Sequence, residues 1–305
     1  MRGGGWVESM KEWQERIYQE NQKDKARLLI SCPDQPGIVA AVSEFLFKQG
    51  ANILASNQYS TDRHKGTFFM RIEFEAPNLH LKEALFKTGF TQVAERFEMK
   101  WDIIFAYKMK RMAIFVSKEL HCLRELLWEW QSGDLMADIP LVISNHEDAR
   151  EIVEPLQIPF YCLPITKETT KKVEEEQLRL LAEHSIDVIV LARYMRILSP
   201  EFVARQKNKI INIHHSFLPA FVGAKPYERA FDRGVKLIGA TSHYVTDDLD
   251  EGPIIEQDIM RVNHQDDVRK LKKIGASIER SVLARAVKWH LEDRIIVHGN
   301  KTIVF

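Results

Sequence analysis

The chain has 305 residues, 45% of them hydrophobic, enough for two domains with full cores. Its 43 Lys and Arg balance 43 Asp and Glu, so no net field draws it to nucleic acid or an anionic membrane, and a small-molecule ligand is expected. Cys32, Cys122 and Cys162 lie far apart with no CxxC spacing, which argues against disulfides and zinc and for a reducing cytoplasm.

No apolar run approaches the roughly 20 residues that span a bilayer. MRGGGWVESMKEW lacks the apolar core and flanks of a signal peptide, so a cytoplasmic protein is expected. Residues 1–24 are an N-terminal extension in which a charged amphipathic pattern begins at Met10. From Lys25, ARLLISCPDQPG predicts a strand ending in a Pro/Gly turn, and IVAAVSEFLFKQG a helix that stops at Gly50. ANILASNQYSTD and GTFFMRIEFEAP alternate as two strands around the turn DRHKG. LKEALFKTGFTQVAERF is helical and KWDIIFAYK a further strand, giving a βαββαβ, ferredoxin-like domain over residues 25–108.

Residues 109–305 read differently. The short apolar runs MAIFVS, PLVISN, FYCLPI, DVIVLARY and IINIHHS alternate with helices such as HCLRELLWEWQSG and KKVEEEQLRLLAEHS. That alternation predicts a mostly parallel, Rossmann-like α/β sheet covered on both faces. KLIGATSHYV and PIIEQDIMRV add strands, a long helix starts near His264, and IIVHGNKTIVF is a hairpin turning at Gly299.

The chemistry concentrates at the end of one strand, NIHHSFLP, and in the later stretch SHYVTDDLDEGP, Ser242 to Pro253. Strand alternation puts Asn212 and His214 on one face, with Ile213 on the other and His215 pointing elsewhere. Both stretches lie where open α/β sheets place their active sites. By themselves the acids Asp247, Asp248 and Asp250 are equally at home in a surface turn.

Taken together, NIHHSFLP and DEGP resemble the folate-dependent formyltransferase family, from Met112 to about Arg294. The resemblance implies 10-formyltetrahydrofolate as substrate, with Asn212 and His214 as donors to a tetrahedral oxyanion and Asp250 as the carboxylate that charges His214 and orients the nucleophile. It implies a folate pocket at LARYMRILSP, with Leu191, Met195, Arg196, Ile197 and Leu198, and further substrate contacts from His215, His243, Thr246 and Asp247. It implies no cofactor beyond the folate substrate.

The chain departs from the amine-acting members at two points. His215 follows the catalytic His where Pro is usual, and VSKELHCLREL replaces a glycine-rich loop that would cradle a substrate phosphate. Water as acceptor is therefore expected, with His215, Phe217, Phe221 and Lys225 closing the acceptor side. Formyl transfer to an amine, or a non-catalytic sensor, are the alternatives.

CPDQPGIVAAVSEFLFKQGANI resembles the ACT domain, which implies an amino-acid effector, glycine or methionine, near Asp34, Gln35, Gly37, Ile38 and Asn52. It also implies a homodimer or tetramer. Four side chains, His214, His215, His243 and Asp250, suggest a metal site, but no HxH or HxxxH spacing supports one and none is expected. Cys122 and Cys162 read as core residues, WEW in the first helix of the second domain as packing, and the acids of KKVEEEQ as a solvated helix face.

Overall fold

The computed structural model describes residues 10–62, 66–219 and 226–305, and divides into two compact units between Met109 and Lys110. Phe221 and Lys225 lie outside the described residues, as do Arg63, His64 and Lys65 of the DRHKG turn.

In the first unit α1 (Met10–Gln22) precedes β1 (Lys25–Pro33), α2 (Ile38–Lys48), β2 (Asn52–Ser60), β3 (Thr67–Glu75), α3 (Glu83–Arg96) and β4 (Lys100–Phe105). The strands form an antiparallel sheet of order β2-β3-β1-β4, the ferredoxin-like arrangement. Alternation decides which face is core: Ala26, Leu28, Ile30 and Cys32 of β1 are buried, with half-buried residues between them. The helices close that face with aromatic rings, Phe45 of α2 meeting Phe90 of α3 edge-on at 5.3 Å. Strand β2 lies at the sheet edge and most of its residues are exposed.

The second unit runs β5 (Arg111–Val116), α4 (His121–Ser132), β6 (Asp138–Ser144), α5 (Arg150–Val153), β7 (Phe160–Cys162), α6 (Thr170–Glu183), β8 (Val188–Ala192), α7 (Pro200–Arg205) and β9 (Ile210–His214). Then come α8 (Pro226–Arg233), β10 (Leu237–Tyr244), β11 (Ile254–Arg261), α9 (Val268–Leu291) and the hairpin β12 (Ile295–His298) with β13 (Lys301–Val304). The seven-stranded sheet has order β11-β10-β9-β8-β5-β6-β7, parallel from β9 to β7, with β10 and β11 antiparallel. Strand β8 is buried along its whole length and β5 from Met112 onward, because helices cover both faces.

Four local readings are corrected. Helix α9 starts at Val268 rather than His264, because the Asp267 carboxylate accepts the Lys270 N–H and caps it there. Strand β7 is a short, half-buried edge, so Cys162 is not in a buried strand, whereas Cys122 is fully buried. Trp130 packs with its indole N–H on the Ala137 carbonyl, but Trp128 on the opposite face of α4 is 61% exposed. Glu174 is buried within an otherwise acidic, exposed helix face, accepting the Ser199 N–H at the start of α7.

Candidate active site

Three strand ends meet at the site. The register places Leu191 of β8 beside Asn212 of β9, and Asn212 beside His243 of β10. Pleating turns Asn212 and His214 to the same face, while Ile213 goes into the core. The turn after His214 is pinned by buried Thr241, whose hydroxyl accepts the Leu218 N–H at 3.0 Å and donates to the Ser216 carbonyl at 2.9 Å. The chain leaves β10 and doubles back, the Tyr244 N–H donating to the Pro253 carbonyl at 2.9 Å. Only glycine fits at 252, since a Cβ there would lie 1.7 Å from the Tyr244 carbonyl oxygen. This reversal brings Asp250 over the end of β9, at φ 57°, a left-handed backbone that Asp tolerates better than most residues.

The carboxylate meets both imidazoles, Asp250 Oδ2 lying 3.2 Å from His214 Nδ1 and Oδ1 lying 3.6 Å from His243 Nε2. His243 Nδ1 is 2.9 Å from the Tyr244 carbonyl, which can only accept, so that nitrogen carries a proton. Nε2, 3.2 Å from Asn212 Nδ2, accepts that amide N–H when the ring is neutral and faces Asp250 Oδ1 as a donor when the ring is charged. One Nδ2–H of Asn212 is left for a ligand. His214 Nε2 is buried and has no hydrogen-bond partner among the described residues.

Burial by itself raises the Asp250 carboxyl, but hydrogen bonds from His214 and His243, and their charge, outweigh it and hold the group well below the usual carboxylate range. His215 does not point away from the site. Its ring stacks on His214 at 5.0 Å, and burial, with the charges of Arg193 and His214, pushes it down to about 4.

These groups open onto a cavity of about 460 Å³. Leu191, Met195, Arg196, Ile197, Leu198, His215, His243, Thr246 and Asp247, all expected at the substrate, line it. So do Arg193, Tyr194, Ile213, Val245, Asp248 and Leu249, none of which the sequence assigned to the substrate. Met195 and Ile197 are 56% and 73% exposed at its wall, apolar surface that a flat ring system would cover. Phe217 does not line this cavity: it lines a separate, mostly apolar one of about 220 Å³ that shares only His215 with the first. The turn after β9 ends the strand alternation and carries Phe217 away.

Among the described residues, His121, Cys122 and Glu279 are close enough to ligate one metal ion. The carboxylate is already engaged by the His121 ring at 2.7 Å and the Tyr227 hydroxyl at 2.6 Å, with the Arg193 cation 3.4 Å away, and burial pushes the Cys122 thiol up. A cation beside a protonated thiol does not suit a metal.

In the first unit Gly37 opens α2 at φ 96° and Asp34 Oδ2 accepts from Ser60 Oγ at 2.6 Å, while Gln35 is solvent-exposed. Ile38 is buried in the core and offers a ligand only its backbone. Asn52 does not join them. It pairs with Glu75, whereas Pro33, next to Asp34, pairs with Thr67 at the other end of β3, roughly 26 Å away at about 3.3 Å per residue.

A formyl transferase family model matches residues 110–287 and an ACT domain model matches residues 26–89. The formyltetrahydrofolate deformylase of Bacillus subtilis (strain 168) is 65% identical over 288 residues, 94% of this chain and 96% of that one. The crystal structure of a formyltetrahydrofolate deformylase from Pseudomonas syringae pv. tomato superposes with a TM-score of 0.89 at 47% identity, covering 96% of this chain and 99% of that one. A phosphoribosylglycinamide formyltransferase from Anaplasma phagocytophilum matches with a TM-score of 0.59 at 31% identity, covering 65% of this chain and 95% of that one.

Proposed function

The chain belongs to the formyltetrahydrofolate deformylase family, and from that premise we infer that it hydrolyses 10-formyltetrahydrofolate to tetrahydrofolate and formate. The carrying observation is His214: Nδ1 is committed to Asp250, and Nε2 is buried at the cavity without a partner among the described residues. A ring N–H there, with the spare N–H of Asn212, binds the oxygen of the formyl group as it becomes an oxyanion. The water oxygen attacks the formyl carbon, the carbon–N10 bond breaks, N10 takes a proton, and formate leaves with one proton released to solvent. Asp250 holds the His214 ring and its proton in place through that sequence. No cofactor enters these steps. Purified protein given 10-formyltetrahydrofolate and no amine should produce tetrahydrofolate and formate in equal amounts. Failure to release formate without an amine would overturn the reading.

Glycinamide ribonucleotide should neither accelerate the reaction nor be formylated. Ser117 to Cys122 contain no glycine, and the Ser117 hydroxyl is already bound to Asn145 and the Met195 N–H. The His121 ring at the start of α4 is itself engaged by the Glu279 carboxylate at 2.7 Å and is not free to hold a phosphate. Formate release with and without added glycinamide ribonucleotide should coincide. Formate appearing only as formylated amine would favour the transferase alternative.

For the N-terminal unit we propose an amino-acid effector, glycine or methionine, held between two copies of the chain. Asp34 and Asn52 are too far apart in one copy to touch a single small ligand, and the exposed edge strand β2, with Ile53, Leu54 and Tyr59, offers a surface for a second. A dimer or tetramer in the cytoplasm, where the three cysteines stay reduced, fits this reading. Calorimetry should show binding of one of the two amino acids with a shift in hydrolysis rate. No heat with either would leave this unit an assembly surface only.

A further inference from the structure

Arg193 follows β8 directly, at φ 63°, in the left-handed region that favours glycine. Its side chain is 12% exposed and lines the catalytic cavity together with Asn212, His214 and His215. Nε and Nη1 have no hydrogen-bond partner among the described residues. A disfavoured backbone conformation and unsatisfied buried donors in one residue, at the floor of a reaction cavity, point from structure to function.

The surroundings are built to keep the guanidinium there. Glu279, 1% exposed on α9, lies 3.4 Å from Arg193 Nε, with its oxygens already engaged by Tyr227 and His121. Burial alone would raise the Glu279 carboxyl, but those hydrogen bonds and the Arg193 charge lower it, so the carboxylate stays ionised. Gly275 makes this possible, because a Cβ there would stand 1.9 Å from the Tyr227 hydroxyl. The carboxylate therefore anchors Arg193 without consuming its hydrogen-bonding capacity. Beside it, His215 is pushed down to about 4 and stays neutral, so it neither adds to nor offsets the cation.

We propose that Arg193 makes water the acceptor: its guanidinium binds the attacking oxygen as it becomes part of the formate carboxylate, and it excludes protonated amines from the same space. The proposal rests on hydrolysis being the reaction. Arg193 forms and breaks no covalent bond and keeps its proton, and the planar fork of N–H groups matches a carboxylate. An ammonium placed there meets a like charge in a dry cavity.

The test uses full-length Arg193→Gly, which suits φ 63°, with Arg193→Gln as a second variant that keeps size and loses charge, circular dichroism verifying that each folds. Wild type should be inhibited by sodium formate. In both variants kcat should fall at least about tenfold with KM for 10-formyltetrahydrofolate changed less than about threefold, and the formate inhibition constant should rise about tenfold. Glycinamide, largely an ammonium at neutral pH, should become formylated by the variants and not by wild type. Folded variants with kcat and formate inhibition within about twofold of wild type would overturn the role of Arg193 while leaving hydrolysis intact. A wild type that releases no formate without an amine would instead remove the hydrolase premise, and the proposal with it.

Discussion

Asp250→Asn should keep the fold and lose at least about a hundredfold in turnover, while binding of the folate changes by only a few fold. The carboxylate is shared by His214 and His243, 3.2 and 3.6 Å away, and the amide that replaces it has the same shape without the charge. An Asn here can still accept from His214 Nδ1–H through its Oδ1, but with no anion beside the ring to balance a second proton the neutral imidazole keeps its proton on Nδ1 and leaves Nε2 without one. The oxyanion then loses a donor as well as a nearby balancing charge. Because Asp250 is held well below the usual carboxylate range, it stays ionised across the physiological range, and no acidic limb of the wild-type rate profile near or above pH 3.8 should belong to it. The sign for stability agrees: a depressed folded-state pKa contributes stability present above the unfolded value of 3.8, lost as pH falls through the lower folded one. Steady-state kinetics with equilibrium binding of the folate decide the matter. Turnover within a few fold of wild type would remove Asp250 from the mechanism.

Asn212→Ala and His214→Ala should each lower kcat by roughly a hundred- to a thousandfold, the loss expected for one donor to a developing oxyanion. The two side chains sit on one face of β9 and act on one oxygen, so the double variant should lose less than the product of the single losses. His214 should cost more than Asn212, because its removal also strips Asp250 of its closest imidazole and leaves a half-buried carboxylate poorly paired. Rapid-quench measurement of formate, with circular dichroism to verify folding, reads these effects. Single variants that retain wild-type kcat would refute the oxyanion assignment for the residue concerned.

The features legible in the sequence are those encoded locally. Alternation in β1 and helical spacing in α2 outline the first domain because each depends only on side chains a few residues apart. Asn212, His214 and Asp250 were recognisable because they lie in short, contiguous motifs, NIHHSFLP and DEGP, and the LARYMRILSP segment located the folate wall in the same way.

What the tertiary structure alone decided depends on groups brought together from distant parts of the chain. Glu279 reaches His121 across 158 residues and Tyr227 across 52, and in sequence it is one acid among many on a long helix. Glu174 was indistinguishable from its solvated neighbours until the start of α7 packed against it and supplied a backbone N–H. Asn52 was grouped with Asp34 by motif, yet strand register set them at opposite ends of one sheet, since pairing rather than chain proximity fixes position along a strand. Arg193 stands inside a segment whose importance was evident, but its left-handed backbone and its buried ion pair with Glu279 arise only when β8 ends against the start of α4 and the inner face of α9. Local pattern names the strand that carries the chemistry; the packing of remote elements decides which charge stands beside it.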